Sequence, residues 1–210
     1  MTILQRLTSH ILNHSDVAIC GYCLDPSRVS DTIASPQVAL IKGDTFDLDA
    51  IRNFVNTCGV VICCYLGDDK LMVNGQNALI DACEECNVPR YVASDWALDF
   101  TKLKLGELFP MDPMIHVKTY LETKKAQGVH ILIGGFMEPI FSPFFNFFDP
   151  SINTFRYWGN ADEVMEGTTF DDADEFTAAV TLDPKATGIV RFLGGRATIR
   201  EIAQSFQNVF

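Results

Sequence analysis

Short apolar runs alternate along the chain with segments that have helical periodicity. Five runs are largely apolar and bounded by turn residues: 17–22, 38–43, 60–66, 90–94 and 130–135. Continuous apolar runs of this length are typical of parallel strands buried on both faces. Between them, Asp47 can cap an amphipathic helix, and 74–86 places apolar residues at helical spacing. Strands that alternate with helices predict an α/β fold, a parallel sheet with helices on both faces.

The pattern changes after Gly135. Residues 135–150 are aromatic and interrupted by prolines, and a strand pair is predicted at 154–157 and 164–169. A helix is predicted at 172–182, where Asp171, Asp172, Asp174 and Glu175 would satisfy free N–H groups rather than bind a metal. We therefore predict a main domain at 1–135 and a small C-terminal lobe at 136–210. Its last strand (188–193) and last helix would return to the main sheet.

Charge narrows the classes of partner. The chain has 210 residues, of which 16 are basic and 27 acidic, so its formal net charge is −11. An acidic surface repels phosphates, so we expect no nucleic-acid partner, and small molecules or proteins are the expected partners.

The sequence also predicts the compartment. No apolar run is long enough for a membrane span, and the N-terminus lacks a signal-peptide layout. Seven cysteines, six of them in predicted strands or helices, suit a reduced, cytoplasmic protein.

Several segments occur in the order that is characteristic of one enzyme family. They are Asp25-Pro26-Ser27-Arg28, Lys42-Gly43-Asp44, VVICCYLGDDK, RYVASDW, YLETKK and HILIGGFMEPIF. Together they resemble the NmrA-like and isoflavone-reductase-like branch of the atypical short-chain dehydrogenase/reductase superfamily. The resemblance covers nearly the whole chain and implies a Rossmann-like fold, NAD(P) binding and reduction of small secondary metabolites. In NmrA itself it implies sensing of the dinucleotide without catalysis.

The N-terminus departs from this family. Members begin with a strand and a G-x-x-G-x-x-G turn, whereas here a helix with an apolar stripe at Leu4, Leu7, Ile11 and Leu12 follows Met1 almost directly. The glycines let backbone N–H groups approach the pyrophosphate, so NADP affinity is expected to be severely reduced. Arg28 is a weak candidate for a 2′-phosphate contact. The strands beside the lost first strand must then pair with one another, or a second chain must fill the gap.

Four polar residues are the candidate catalytic groups. Tyr120 and Lys124 form Y-x-x-x-K, which places both side chains on one helix face, where the ammonium can lower the phenol pKa. In the wider superfamily this pair lies beside a serine at a strand end, and Ser94 matches it. In the isoflavone-reductase-like branch the match is Lys124 alone. Asp95 follows Ser94 and can act as a base, hold a hydroxyl or cap a helix.

The remaining candidates concern substrate binding. Trp96 can supply a stacking surface or pack in the core, and His116 lies one turn before Tyr120 and can relay protons with it. The aromatic segment can line a pocket for a flat apolar substrate, or form a dimer surface. Its candidate contacts are Phe136, Met137, Glu138 and Phe141.

Two functions follow from these residues and the resemblance. The first is an enzyme acting on an aromatic or polyketide-like metabolite, by weak NAD(P)H-dependent reduction or by cofactor-free acid/base chemistry such as isomerisation, dehydration or cyclisation. The second is a non-catalytic, NmrA-like regulatory or metabolite-binding protein. Because the 16 Phe exceed what a shortened chain can cover, we also expect a homodimer.

Overall fold

The computed structural model describes residues 3–14, 17–29 and 37–209, folded into an α/β architecture. The helices are α1 (Ile3–His14), α2 (Leu48–Val55), α3 (Gln76–Glu85), α4 (Asp112–Leu121), α5 (Met137–Ile140), α6 (Phe170–Leu182) and α7 (Ile199–Val209). The strands are β1 (Ile19–Cys23), β2 (Val38–Lys42), β3 (Val61–Ile62), β4 (Arg90–Val92), β5 (Gln127–Leu132), β6 (Gly135–Phe136), β7 (Phe148–Asp149), β8 (Thr154–Phe155), β9 (Val164–Thr168), β10 (Gly188–Arg191) and β11 (Gly195–Thr198).

Parallel strands form the larger part of the molecule. β1 pairs with β2, and a second sheet has the order β10-β5-β4-β3. Every pairing in these two sheets is parallel, and β10 returns to the main sheet beside β5, as predicted. The strands therefore end at a common edge, here called the carboxyl edge, and begin at the amino edge. The predicted fold class, an α/β fold with a parallel sheet, is confirmed.

Helices cover both faces of the sheets. On one face, α2, α3 and α4 contribute Ile51, Leu79 and Val117 to a buried cluster. On the other, α6 packs Ala173 and Val180 against β4 and β5. Asp47 caps α2 as predicted, because its Oδ1 accepts the Ala50 N–H at 3.1 Å.

The helix predicted to follow Met1 almost directly is α1, which begins at Ile3. Met1, Thr2 and the side chain of Leu4 lie outside the described residues. Leu7 and Ile11 are buried against Ala178 of α6, which confirms that part of the apolar stripe.

No strand lies between β1 and β3 among the described residues. β1 pairs only with β2, and β3 pairs only with β4. The prediction that the strands beside the family's first strand pair with one another is therefore wrong for β1 and β3. The burial expected for all five strands also fails at β2, where Leu40 and Ile41 are about 40% exposed. β2 is the outermost strand of its sheet, so one of its edges has no neighbour.

The C-terminal lobe is built differently from the prediction. The segments at 154–157 and 164–169 do not pair: β8 pairs with β7, while β9 lies between β11 and β6. Thr198 and Glu201 form a capping box at the start of α7, with the Thr198 N–H and hydroxyl donating to Glu201 at 2.8 and 2.9 Å. However, α7 packs on β11 and the lobe aromatics, and it does not return to the main sheet.

Arg90 at the start of β4 ties the main sheet to α6. Its guanidinium donates to the carbonyls of Thr181 at 2.6 Å, Asp183 at 2.7 Å and Val180 at 3.2 Å. These carbonyls lie at the C-terminal end of α6, where a helix has no further N–H donors. The buried Arg90 guanidinium thus supplies hydrogen-bond donors to the carbonyls of the last turn of α6.

No described helix is long and apolar enough to cross a membrane.

Candidate functional site

Ser94 lies just past the end of β4, at the carboxyl edge. Its N–H donates to Gln76 Oε1 at 3.0 Å, and its hydroxyl donates to the Tyr65 carbonyl at 2.6 Å. Gln76 is fully buried in α3, and it also accepts the Tyr91 hydroxyl and donates to Met72 O. The Ser94 hydroxyl proton is therefore committed to a backbone carbonyl, and the residue joins β4 to α3.

Asp95 forms a buried pair with His130 of β5. Asp95 Oδ2 and His130 Nδ1 share a hydrogen bond of 2.7 Å, and both side chains are buried. Burial raises the pKa of Asp95, and the His130 hydrogen bond opposes this rise only in part. The other oxygen, Oδ1, has no partner among the described residues. The pairing was not predicted, because the two residues meet only once β4 and β5 align.

The Trp96 ring packs in the core. Its indole N–H donates to Thr177 Oγ1 of α6 at 2.8 Å, and the ring contacts the buried cluster beneath that helix. The backbone at Trp96 has φ of +39°, which turns the chain sharply after β4. Of the two roles expected for Trp96, the structure therefore shows packing, and no stacking face is presented at the carboxyl edge.

Tyr120 and Lys124 are brought together, but with an unexpected partner. Lys124 Nζ lies 3.0 Å from the Tyr120 hydroxyl, and both groups donate to Asp81 Oδ1 of α3, at 2.6 and 2.7 Å. The Asp81 hydrogen bond is the main reason that the pKa of Lys124 is raised. His116 is exposed, and the Tyr120 hydroxyl contacts Asp81 and Lys124, so the predicted His116 relay is not formed.

This cluster lies at the amino edge of the sheet. α4 leaves the carboxyl edge and ends shortly before β5 begins at Gln127. The neighbouring backbone confirms this, since the Lys125 N–H donates to Glu84, close to the start of β4. The structure thus places Tyr120 and Lys124 at one edge and Ser94 and Asp95 at the other. Lys124 lies past the end of α4 at Leu121, so the predicted placement of both side chains on one helix is wrong for Lys124.

The predicted substrate contacts divide between two places. The Phe136 ring lies 4.6 Å from the Phe170 ring, and Glu138 accepts the Phe170 N–H at 2.8 Å, at the start of α6. Met137 lies beside Gly167 of β9. Phe141 instead lines a groove of about 360 Å³ in the lobe. The other lining residues are Phe148, Phe155, Ile202, Ser205, Phe206 and Val209.

The groove was predicted only in part. The sequence indicated an aromatic pocket, but the wall that α7 contributes was missed. Its signal was the recurrence of Ile202, Phe206 and Val209 at helical spacing after the capping box. Ring centroids of Phe148 and Phe206 lie 4.9 Å apart, so α7 is held to the lobe by aromatic contacts.

A dinucleotide cofactor, implied by the resemblance, fits the described residues only at one end. Beyond β1, Asp25 caps a short turn by accepting the Ser27 N–H at 3.1 Å, and Arg28 is exposed at the end of that turn. Leu24 and Leu66 are exposed apolar residues after β1 and β3, suited to an adenine ring. The described residues begin with α1 itself, and they place contacts for a dinucleotide only at its adenosine end.

Comparison with known proteins identifies the family. A family model described as NAD(P)H-binding matches residues 3–132, more than half of the chain. No curated protein sequence matches the chain.

Solved structures with the same fold share little sequence with the chain. Triphenylmethane reductase of Citrobacter sp., solved with NADP(H), has a TM-score of 0.77 at 12% identity, over 99% of this chain and 72% of that one. An isoflavone reductase has a TM-score of 0.77 at 16% identity, over the same shares. NADPH-dependent quinone oxidoreductase of Escherichia coli, solved with NADPH, has 0.78 at 14%, again over 99% and 72%. The predicted family is confirmed, and the chain belongs to the NAD(P)H-binding family.

Proposed function

We propose that the protein is a binding member of the NAD(P)H-binding family. It recognises the adenosine end of a nicotinamide nucleotide at the carboxyl edge and a flat apolar metabolite in the lobe groove. The observation that carries the proposal is the position of the Tyr120, Lys124 and Asp81 cluster at the amino edge. It leaves the carboxyl edge without the acid–base pair that catalysis by these residues requires.

The buried groups at the carboxyl edge support the same conclusion. The Ser94 hydroxyl is engaged by a carbonyl, and Asp95 is held by His130 inside the core. A general acid or base must come within hydrogen-bond reach of its substrate. Groups that are buried and already paired serve to hold β4, β5 and α3 together, so cofactor-free acid/base chemistry gains no support from them.

The lobe groove suits an apolar, planar ligand. It has a volume of about 360 Å³ and is lined by four Phe side chains, two aliphatic residues and Ser205. Aromatic walls offer stacking and edge contacts to a flat molecule, and one hydroxyl is available to orient it. We therefore assign the metabolite to this groove and the nucleotide to the carboxyl edge.

Nucleotide titration tests the proposal. We expect adenosine 2′-monophosphate to bind within about threefold of NADPH, because the described residues at the carboxyl edge offer contacts to the adenosine end only. Arg28→Ala is expected to abolish any preference for NADPH over NADH, with Lys42→Ala as a control on an exposed side chain of β2. NADPH binding more than about 100-fold tighter than adenosine 2′-monophosphate would contradict the proposal.

A weak reductase is the second candidate. It is supported by the three fold neighbours, two of them named as reductases and one as a quinone oxidoreductase, because a nicotinamide cofactor supplies the hydride itself. The assay is NADPH oxidation in the presence of an aromatic quinone. Turnover that Lys124→Met and Tyr120→Phe leave unchanged would favour this candidate over the binding protein. Turnover lost in either folded variant would show that the amino-edge cluster is catalytic and contradict both.

A further inference from the structure

The connection between β4 and α4 presents large apolar side chains to solvent at the carboxyl edge. It comprises residues 98–111 and is here called the β4–α4 segment. Phe109 is 80% exposed, Leu105 is 54% exposed and Leu108 is 38% exposed. These three residues lie in and directly after one turn, which a backbone hydrogen bond of 3.1 Å closes. Exposed apolar side chains that occur together mark interaction sites more often than single ones do.

The β4–α4 segment is held in place by its own contacts. Asp99 accepts a hydrogen bond from the Arg191 guanidinium of β10 at 3.0 Å. Phe100, the next residue, is buried, and Asp112 at the start of α4 accepts the Gly106 N–H at 2.9 Å. The exposed apolar side chains therefore stand on an ordered backbone. A partner meets a surface that is already formed, which lowers the entropy cost of binding.

Two lysines of the β4–α4 segment carry unpaired charges. Lys102 and Lys104 are exposed, and neither ammonium group forms an ion pair among the described residues. The carboxylates nearest to them in sequence have other partners. Asp99 pairs with Arg191 at 3.0 Å, and Glu107 accepts the Lys104 backbone N–H at 2.8 Å. Because the chain has a net charge of −11, two unpaired cations in one short segment favour an anionic partner at this place.

The unpaired lysines and the apolar side chains together fit a partner that carries carboxylates beside apolar groups. Both an acidic peptide and an anionic bilayer offer negative charge beside apolar groups. A bilayer extends beyond the segment, so the acidic remainder of the molecule would lie against it and be repelled. A short peptide covers only the segment, and exposed charges more than about 8 Å away are screened at physiological salt. The charge distribution therefore favours a peptide.

We propose that the β4–α4 segment binds an acidic, apolar peptide segment of another protein. Phe109 and Leu105 are the apolar anchors, and Lys102 and Lys104 pair with two carboxylates of the peptide. The anchors supply affinity, whereas the ion pairs at the rim select acidic sequences and speed association. None of the residues assigned above to nucleotide or metabolite binding belongs to this segment, so the peptide site is separate from both.

Fluorescence anisotropy with a labelled peptide tests the proposal on the full chain. The probe is fluorescein-Gly-Gly-Asp-Glu-Leu-Phe-Asp-Glu-Leu-Leu-amide, and its matched control has lysine at the four acidic positions. We expect the probe to bind with a Kd below about 100 μM. The lysine peptide should bind at least about tenfold more weakly. Raising the salt concentration should weaken binding of the probe, because ion pairs at an exposed surface are screened.

Variants of the chain separate the two kinds of contact. The double variant Lys102→Glu, Lys104→Glu should weaken probe binding about tenfold through the lost ion pairs. Phe109→Ser should weaken it by a similar factor, about tenfold, through the lost anchor. The controls are Lys185→Glu, an exposed lysine after α6, and Leu48→Ser, which is 44% exposed on α2. Both controls should bind the probe as the wild type does, and far-UV circular dichroism confirms that each variant is folded.

Four results would overturn the proposal. The first is no binding of the probe at about 1 mM. The second is equal binding of the lysine peptide, and the third is wild-type affinity in the double lysine variant or in Phe109→Ser. The fourth is retention of the chain by vesicles of equal parts phosphatidylserine and phosphatidylcholine that the probe does not displace, which would show a lipid occupant. No nucleotide or metabolite is present, so these outcomes are independent of the proposed function.

Discussion

Two carboxyl groups, those of Asp95 and Asp174, are buried without a full set of donors. Asp95 has one oxygen paired with His130, whereas Asp174 has neither oxygen paired among the described residues. Burial raises the pKa of both, and that of Asp174 reaches about 7. The charges around Asp174 are those of Arg6 on α1, Asp171 on α6 and Glu138 on α5. Arg6 lowers this pKa, and the two carboxylates raise it.

The pKa of Asp174 makes stability depend on pH. The free carboxyl titrates near 3.8, so between about pH 4 and 7 the unfolded chain loses a proton that the folded protein keeps. The free energy of unfolding should therefore fall as pH rises through this window and change little above it. Asp174→Asn should remove this fall and stabilise the protein at pH 8 by about 2–4 kcal/mol.

Urea unfolding of the wild type and Asp174→Asn at several pH values measures this effect. Asp171→Asn is the control, since that side chain is 73% exposed and should leave the pH dependence intact. A wild-type stability that rises between pH 4 and 7, with no difference from Asp174→Asn, would contradict the assigned charge state.

Lys124 is expected to act on stability through Asp81 and Tyr120. Lys124→Met removes the hydrogen bond to Asp81 of α3 and the one to Tyr120 of α4, so the free energy of unfolding should fall by about 1 kcal/mol. Lys125→Met is the matched control, because Lys125 is 89% exposed and lies 3.9 Å from Glu84. Thermal unfolding compares the two variants, and equal losses would contradict a structural role of Lys124.

At the level of elements, one glycine fixes the crossing from the main sheet to the lobe. Gly134, between β5 and β6, has φ of +72°, and a Cβ built there would lie 2.6 Å from the Glu166 carbonyl of β9. A side chain at this position is both strained and blocked by backbone. β6 and β9 can pair only because this close approach is open.

Gly134→Ala should therefore lower the free energy of unfolding by about 2–3 kcal/mol. Gly188→Ala isolates the backbone contribution, since its φ is +74° but nothing lies within 4 Å of the added Cβ. We expect a loss of about 1 kcal/mol there. Chemical denaturation of both variants gives the difference in unfolding free energy. Equal losses would show that the backbone at Glu166 adjusts to the added Cβ without further cost.

Caps and apolar runs, which involve residues close together in sequence, predicted the elements that depend on such local contacts. Asp47 caps α2 as expected, and the apolar run at 90–94 contains β4, whereas β5 begins at Gln127, three residues before the run at 130–135. The short strands β6, β7 and β11 gave no such signal. Two of them, β6 and β7, contain only two residues, and β6 pairs with a strand, β9, that lies far along the sequence.

The candidate site was less predictable than the fold, because it depends on how elements are placed in space. The Y-x-x-x-K spacing correctly brought Tyr120 and Lys124 together, yet their edge of the sheet follows from where α4 ends. The Asp95 and His130 pair spans 35 residues and requires two strands in register. Neither the edge at which Tyr120 and Lys124 lie nor the pairing of Asp95 with His130 can be predicted from a short segment of sequence.

For the molecule as a whole, the lobe exposes more aromatic surface than its groove uses. Phe144 is 85% and Trp158 is 96% exposed. Large exposed apolar surface favours association. We propose that the protein self-associates through the lobe into a homodimer.

Sedimentation velocity tests this proposal. The wild type should sediment as a dimer, and the Phe144→Ser, Trp158→Ser double variant as a monomer. Leu66→Ser, a change of equal kind at the exposed carboxyl edge, should leave the dimer intact. A wild type that remains monomeric at high concentration would contradict the proposal.

The hydrogen bonds of Arg90 can form only after most of the chain has been synthesised. During translation, β4 leaves the ribosome more than ninety residues before the carbonyl of Asp183 that its guanidinium binds. Until Asp183 has been synthesised, the Arg90 guanidinium lacks this carbonyl partner, so β4 cannot pack as it does in the folded protein. The boundary at 135/136 marks a change in composition, but this contact crosses it. A fragment that stops at residue 135 lacks the carbonyls that Arg90 binds, so we expect it not to fold on its own.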